Sequence, residues 1–129
     1  MSLHADPAGF RAAASRFSTG VTVVTSRDAD GAPVGMTANS FTTVSMQPPT
    51  VLVSLKRGRT WQAVSETGRY AVNVLGADDV AICRHFAGAP LAQGAPSMDE
   101  RDGFFLLPQA IAQFGCEVVS TIEVADHTL

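Results

Sequence analysis

Thr37, Ala38, Asn39 and Ser40 lie side by side within GMTANSFTTVS, residues 35–45, and what they share is small size. Three of the four carry hydrogen-bonding side chains, and none has the bulk that fills a core. Such a ledge lets main-chain N–H groups reach the oxygens and nitrogens of a flat heteroaromatic ring, an approach that larger side chains would block. A second group, Lys56, Arg57 and Arg59 with Ser54 and Thr60 nearby, sits where a strand-like run gives way to a helix-like one. Positive charge beside free helical N–H groups favours an anion such as a phosphate tail. Taken alone, each group also has a plainer reading: the ledge as a polar strand edge, and the cations as a solvated turn.

Other chemistries find little support. There is no G-x-S-x-G nucleophile elbow, no H-E-x-x-H and no His/Cys cluster at metal-ligand spacing. No G-x-G-x-x-G follows the first strand, so a nucleotide would not sit on a Rossmann fingerprint. Nine Lys and Arg against twelve Asp and Glu give a net charge of -3, which argues against a general nucleic-acid binder. No apolar run approaches the roughly 20 residues needed to span a bilayer, and MSLHADPAGFRAAASRF lacks the apolar region of a secretory signal. A cytoplasmic protein without membrane attachment is expected. Cys83 and Cys116 have no C-x-x-C spacing and read as reduced core thiols.

The elements that must hold these groups are short. Asp6 and Pro7 signal a helix start, with Phe10, Ala13, Ala14 and Phe17 at helical spacing and Gly20 as a stop. GVTVVTS reads as a strand, Asp30-Gly31 as a turn, and VGMTANSFTTVS as one returning strand. A third strand alternates through Val51, Val53 and Leu55. Thr60 is the expected cap of a helix carrying Trp61 and Val64 and ending at Gly68, and RYAVNVL is a further strand. Asp78 is expected to cap a helix with Val80, Cys83 and Phe86 on one face and Gly88 as its stop. Residues 88–103 read as a loop, and 116–124 as one half-buried strand with Cys116, Val118, Ser120, Ile122 and Val124 on the same side. Strands in succession with brief helices fit an antiparallel barrel plugged by helices better than a doubly wound sheet.

The order FSTGVTVVTS, GMTANSFTTVSMQPPTVLVSL, YAVNVL and RHFAG resembles the flavin reductase-like family of FMN-binding split barrels, in particular the small reductases of two-component flavin monooxygenases. The resemblance runs from about Phe10 to Leu129 and is most specific between Gly35 and Leu55. It implies a mainly β, antiparallel split barrel that forms a homodimer. It also implies hydride transfer from NADH or NADPH to FMN or FAD, with reduced flavin passing to a partner monooxygenase. The residues implied in flavin binding are Met36, Thr37, Ala38, Asn39, Ser40, Ser45, Ser54, Leu55, Lys56, Arg59, Thr60 and Phe86.

ADHTL is similar to the family's G-D-H stretch, associated with nicotinamide access, so the resemblance implies His127 on the nicotinamide side and Asp126 as its orienting neighbour. Ala125 replaces the glycine, and His127 read alone is a turn residue after a strand. Members of the family continue for another strand or two, so residues 1–129 are expected to form a single domain lacking the C-terminal strand or strands. Two other readings stay open: a split-barrel oxidase of the pyridoxamine phosphate oxidase type, and a flavin- or heme-type binding module without turnover. Direct hydride transfer needs no protein nucleophile, only stacked rings and donors for the charge that develops on the reduced flavin.

Overall fold

β1, Thr22–Arg27, is the strand around which the molecule is built: five of its six residues are buried, as expected of a β-branched run covered on both faces. A computed structural model describes residues 6–129; of the leader reading, residues 1–5 lie outside the described part. β1 turns through Gly31, at φ 83°, into β2, Pro33–Ala38, in the hairpin that Asp30-Gly31 announces. On its other side β1 pairs with β6, Arg69–Val74, which pairs with β9, Ala112–Glu117. The resulting antiparallel sheet has the order β2-β1-β6-β9.

The remaining strands form three small antiparallel sheets. β3, Thr42–Met46, pairs with β4, Pro49–Leu52. β7, Asp99–Arg101, pairs with β8, Phe104–Leu106. β5, Leu55–Lys56, pairs with β11, His127–Thr128, which pairs with β10, Glu123–Val124. Three short helices complete the described residues: α1, Pro7–Ala14, α2, Arg59–Thr67, and α3, Val80–His85. The architecture is mainly β, and its strands lie in four separate sheets rather than in one closed ring.

Two apolar clusters flank the large sheet. On one face Val24, Ala38 and Val72 meet Val64 of α2 with Val53 and Leu55, and Trp61 and Phe114 close the sides. On the other, Val23, Leu75 and Leu107 meet Ile82, Cys83 and Phe86. Burying each of these Val or Leu side chains contributes about 1.5–3 kcal/mol. The second face also holds Asn73, fully buried, whose Nδ2 donates to the Val23 carbonyl at 3.1 Å and whose Oδ1 accepts the Leu107 N–H at 2.8 Å. That side chain ties the segment after β8 to β1, satisfying polar groups that would otherwise be orphaned in the core.

Several expectations are corrected. α1 has the predicted Asp6 cap on the Gly9 N–H, but it buries no residue, and Phe10 and Phe17 stay exposed. α2 is capped by Gly58 rather than Thr60, which lies inside the helix and is buried; its end at a left-handed Gly68 is as expected. α3 starts after Asp79, not Asp78, and the Asp79 carboxylate accepts the Gly76 N–H rather than capping its own helix. The returning strand splits into β2 and β3, and the strand of residues 50–55 into β4 and β5. The supposed loop 88–103 contains β7, which turns into β8 through Asp102 and Gly103 at φ 53° and 84°. The strand read across 116–124 stops at Glu117; Cys116 and Val118 pack on the core, whereas Ile122 and Val124 are exposed.

Candidate functional site

β2 is an edge strand of the large sheet, so alternate main-chain groups point away from β1. Thr37 shows the direction: its N–H donates outward to the Phe86 carbonyl at 3.1 Å, and its hydroxyl donates to the Cys83 carbonyl at 2.6 Å. These two bonds satisfy carbonyls at the C-terminal end of α3. Gly35 makes room for the same docking, since a Cβ there would stand 3.0 Å from the Phe86 ring. The first half of the small-residue ledge therefore seats a helix, and Phe86 packs against β2 in the second apolar cluster.

The second half stays open. Ala38 is buried, with its carbonyl accepting the Thr22 hydroxyl at 2.8 Å, and Met36 packs against the first cluster. Asn39 is exposed. Ser40 donates its hydroxyl proton to the Ser54 carbonyl and accepts the Ser54 N–H, both at 3.0 Å. This two-way bridge brings the end of β2 beside the start of β5. Leu55 is buried, and Ser45 accepts the Gln47 N–H within the β3–β4 arm.

Beyond Ser54 the cations follow. Lys56 and Arg59 are exposed, and among the described residues neither forms an ion pair. Arg57 is committed elsewhere, to the β10–β11 hairpin. Between them α2 begins at Gly58 with no side-chain cap, which leaves its first N–H groups free to meet an anion. Thr60, only 5% exposed, is turned inward beside that end.

The β11–β5 register sets His127 opposite Lys56. His127 Nδ1 lies 2.8 Å from Asp126 Oδ1. That hydrogen bond holds the Asp126 carboxyl below its usual range, helped by its own main chain and by the positive charges of His127 and Lys56. Small-residue main chain, an uncapped helix end with two free cations, and an oriented imidazole thus follow one another along Asn39, Ser40, Ser54, Lys56 and His127. The arrangement suits a flat ring with an anionic tail and a second ligand on the His127 side; no group of His, Cys, Asp and Glu among the described residues is placed to hold a metal ion.

The model of the family described as "Flavin reductase like domain" matches residues 14–129. The chain belongs to that family. It is 39% identical over 125 residues to the NADH-dependent flavin reductase StyB of Pseudomonas fluorescens, covering 96% of this chain and 74% of that protein. A probable flavin reductase of Rhizobium meliloti is 41% identical over 128 residues; the match covers 96% of this chain but only 41% of that longer protein. The styrene monooxygenase flavin reductase (SMOB) from Pseudomonas putida superimposes with a TM-score of 0.86 at 39% identity, covering 93% of this chain and 79% of that one.

Within this flavin reductase-like domain, several residues of the site escape sequence reasoning. Gly35 is one, because only the packed Phe86 ring reveals why a side chain is excluded there. Trp61 is another: the sequence places it only on a helix with Val64, yet its Nε1–H donates to the Thr128 hydroxyl at 2.9 Å, beside His127. Arg57 reads as one of three phosphate cations until its contacts are known.

Proposed function

We propose that this chain is an NADH:flavin oxidoreductase that reduces FMN or FAD and supplies the reduced flavin to a partner monooxygenase. The observation that carries this reading is the join between the open end of β2 and the uncapped start of α2. There the Ser40–Ser54 bridge sets ring-accessible main chain next to Lys56 and Arg59. The NADH dependence of the Pseudomonas fluorescens relative and the monooxygenase named with the Pseudomonas putida structure support the donor and the partner.

The residues present fit a flavin. Asn39 and the main chain of 39–40 would border the ring; the first N–H groups of α2, with Lys56 and Arg59, would hold the phosphate. When bound, a flavin supplies an acceptor for the hydride of a reduced nicotinamide. The protein's own work is binding and orientation. The exposed Asn39 amide would supply a donor toward the negative charge that develops on the ring. Asp126 would fix the His127 ring through Nδ1, leaving Nε2 as the nitrogen to meet the nicotinamide donor. Phe86 acts indirectly, by holding α3 behind β2.

The same reading takes residues 1–129 as one reductase domain whose four sheets are parts of an antiparallel split barrel, and two copies as the working unit. Val44 and Met46, 60% and 87% exposed on the β3–β4 arm, support a partner surface there. The deciding experiment is a spectrophotometric assay crossing NADH and NADPH with riboflavin, FMN and FAD. Flavin-dependent NADH oxidation is expected, and its absence with every acceptor would end the reading. A tightly held flavin that instead forms peroxide with an amine substrate would redirect it to an oxidase.

A further inference from the structure

Arg57 stands between two exposed cations, yet its guanidinium is engaged by the 123–128 hairpin. Nη1 donates to the Ala125 carbonyl at 3.3 Å, Nη2 lies 3.6 Å from Glu123 Oε2, and the Arg57 N–H donates to the Asp126 carbonyl at 3.4 Å. The guanidinium also lies 5.9 Å from the centre of the Trp61 ring. Trp61 in turn reaches the far strand of the same hairpin through its 2.9 Å bond to Thr128. Two neighbouring side chains therefore grip Glu123, Ala125 and Thr128, which belong to both strands and the turn between them.

The hairpin needs such a grip. β10 and β11 have two residues each; their pairing, extended by the Ile122–Leu129 main-chain bonds, is anchored on one side by the two-residue β5, a short ladder for a hairpin in water. Glu123, Val124, Ala125 and Asp126 are all exposed, so no core burial fixes them. Ala125 holds φ 53°, a left-handed conformation disfavoured for a residue with a Cβ, which adds to the tendency to open. His127 takes its position from the β5–β11 pairing together with whatever keeps this turn in place.

We propose that Arg57 and Trp61 are positioning residues for the nicotinamide donor, acting by bracing the 123–128 hairpin so that the Asp126–His127 pair faces the flavin side. The inference rests on the hydride-transfer reading above. It gives the cations separate roles, with Lys56 and Arg59 serving the flavin phosphate and Arg57 serving the second substrate. Only the polar tips carry the brace, because the Trp61 ring packs on the first apolar cluster whether or not its N–H is bonded.

The test compares Trp61→Phe, Arg57→Met, their combination and Arg57→Lys with the unsubstituted chain. Three quantities are measured: KM and kcat for NADH at saturating FMN, the FMN dissociation constant, and amide exchange of residues 123–128. The double variant is expected to raise the NADH KM about tenfold, with kcat and FMN affinity within about threefold. Exchange should accelerate in the hairpin while β1 and β6 stay protected. Arg57→Lys should recover part of the loss, since an ammonium can reach one acceptor but not two. Unchanged hairpin exchange in the double variant would overturn the brace. Faster exchange with an unchanged NADH KM, or FMN affinity falling in step with it, would overturn the positioning role. Failure of the reaction itself would appear first, as an unsubstituted chain that leaves NADH untouched.

Discussion

Asn39 is the ledge residue whose side chain remains free for a ligand, because the Thr37 and Ser40 hydroxyls are already bonded to protein carbonyls and Ala38 is buried. Asn39→Leu is therefore expected to weaken flavin binding by about tenfold or more while changing stability by less than about 1 kcal/mol, since it opens no cavity. Flavin fluorescence titration beside a urea melt checks both halves. Lys56 and Arg59 make a different claim. Replacing both by Ala should weaken FMN by about tenfold or more yet leave riboflavin, which has no phosphate, nearly unaffected. An equal loss for both ligands would remove the phosphate role. The small size of the ledge was legible in GMTANS, but not its division between a helix seat and an open end. That division depends on where α3 lies, nearly fifty residues later in the chain.

At the scale of elements, β6 and β9 meet at Tyr70 and Cys116, which are directly paired in register. Burial pushes the Tyr70 hydroxyl up to about 12, with the charge of a Cys116 thiolate adding to the effect, and burial likewise raises the Cys116 thiol. Both groups hold their protons more tightly when folded than when unfolded. The Tyr70 contribution is therefore complete below pH 10 and is lost as pH rises from about 10 toward 12, by about 2–3 kcal/mol, while that of Cys116 begins to be lost above its ordinary value near 9. Urea melts from pH 8 to 12 should show that decline, and Tyr70→Phe should remove most of it. The pairing of β7 with β8 shows a signal that was present and unread. Asp102-Gly103 carries the same D-G dipeptide signal as Asp30-Gly31, here with both residues at positive φ, but the Gly- and Pro-rich stretch before it obscured the short strands. Arg69 stacked over Phe104 and Arg27 over Phe105 hold that hairpin against the large sheet.

For the whole molecule, the β3–β4 arm and the segment 118–124 carry Val44, Met46, Val119, Ile122 and Val124 in exposed positions. On the proposed reading a second copy covers the arm. Val44→Asp with Met46→Asp should then shift the chain from dimer to monomer in sedimentation velocity, with the monomer keeping its secondary structure. A monomeric unsubstituted chain at micromolar concentration would remove that proposal. The Asn73 side chain, reaching both β1 and the segment after β8, is the internal counterpart: it joins distant parts of one copy through three polar contacts in the buried core.

Local chemistry determined the mainly β character, the Asp6 cap, the Asp30-Gly31 turn, the Gly68 stop and the burial of Val53 and Leu55, because each depends on nearest neighbours or on a period of two. Tertiary structure alone decided that Thr37 serves α3, that Arg57 serves the hairpin, and that His127 stands opposite Lys56. Those outcomes depend on which polar groups meet after segments far apart in sequence have packed, and a hydroxyl or guanidinium carries no mark of which acceptor it will find.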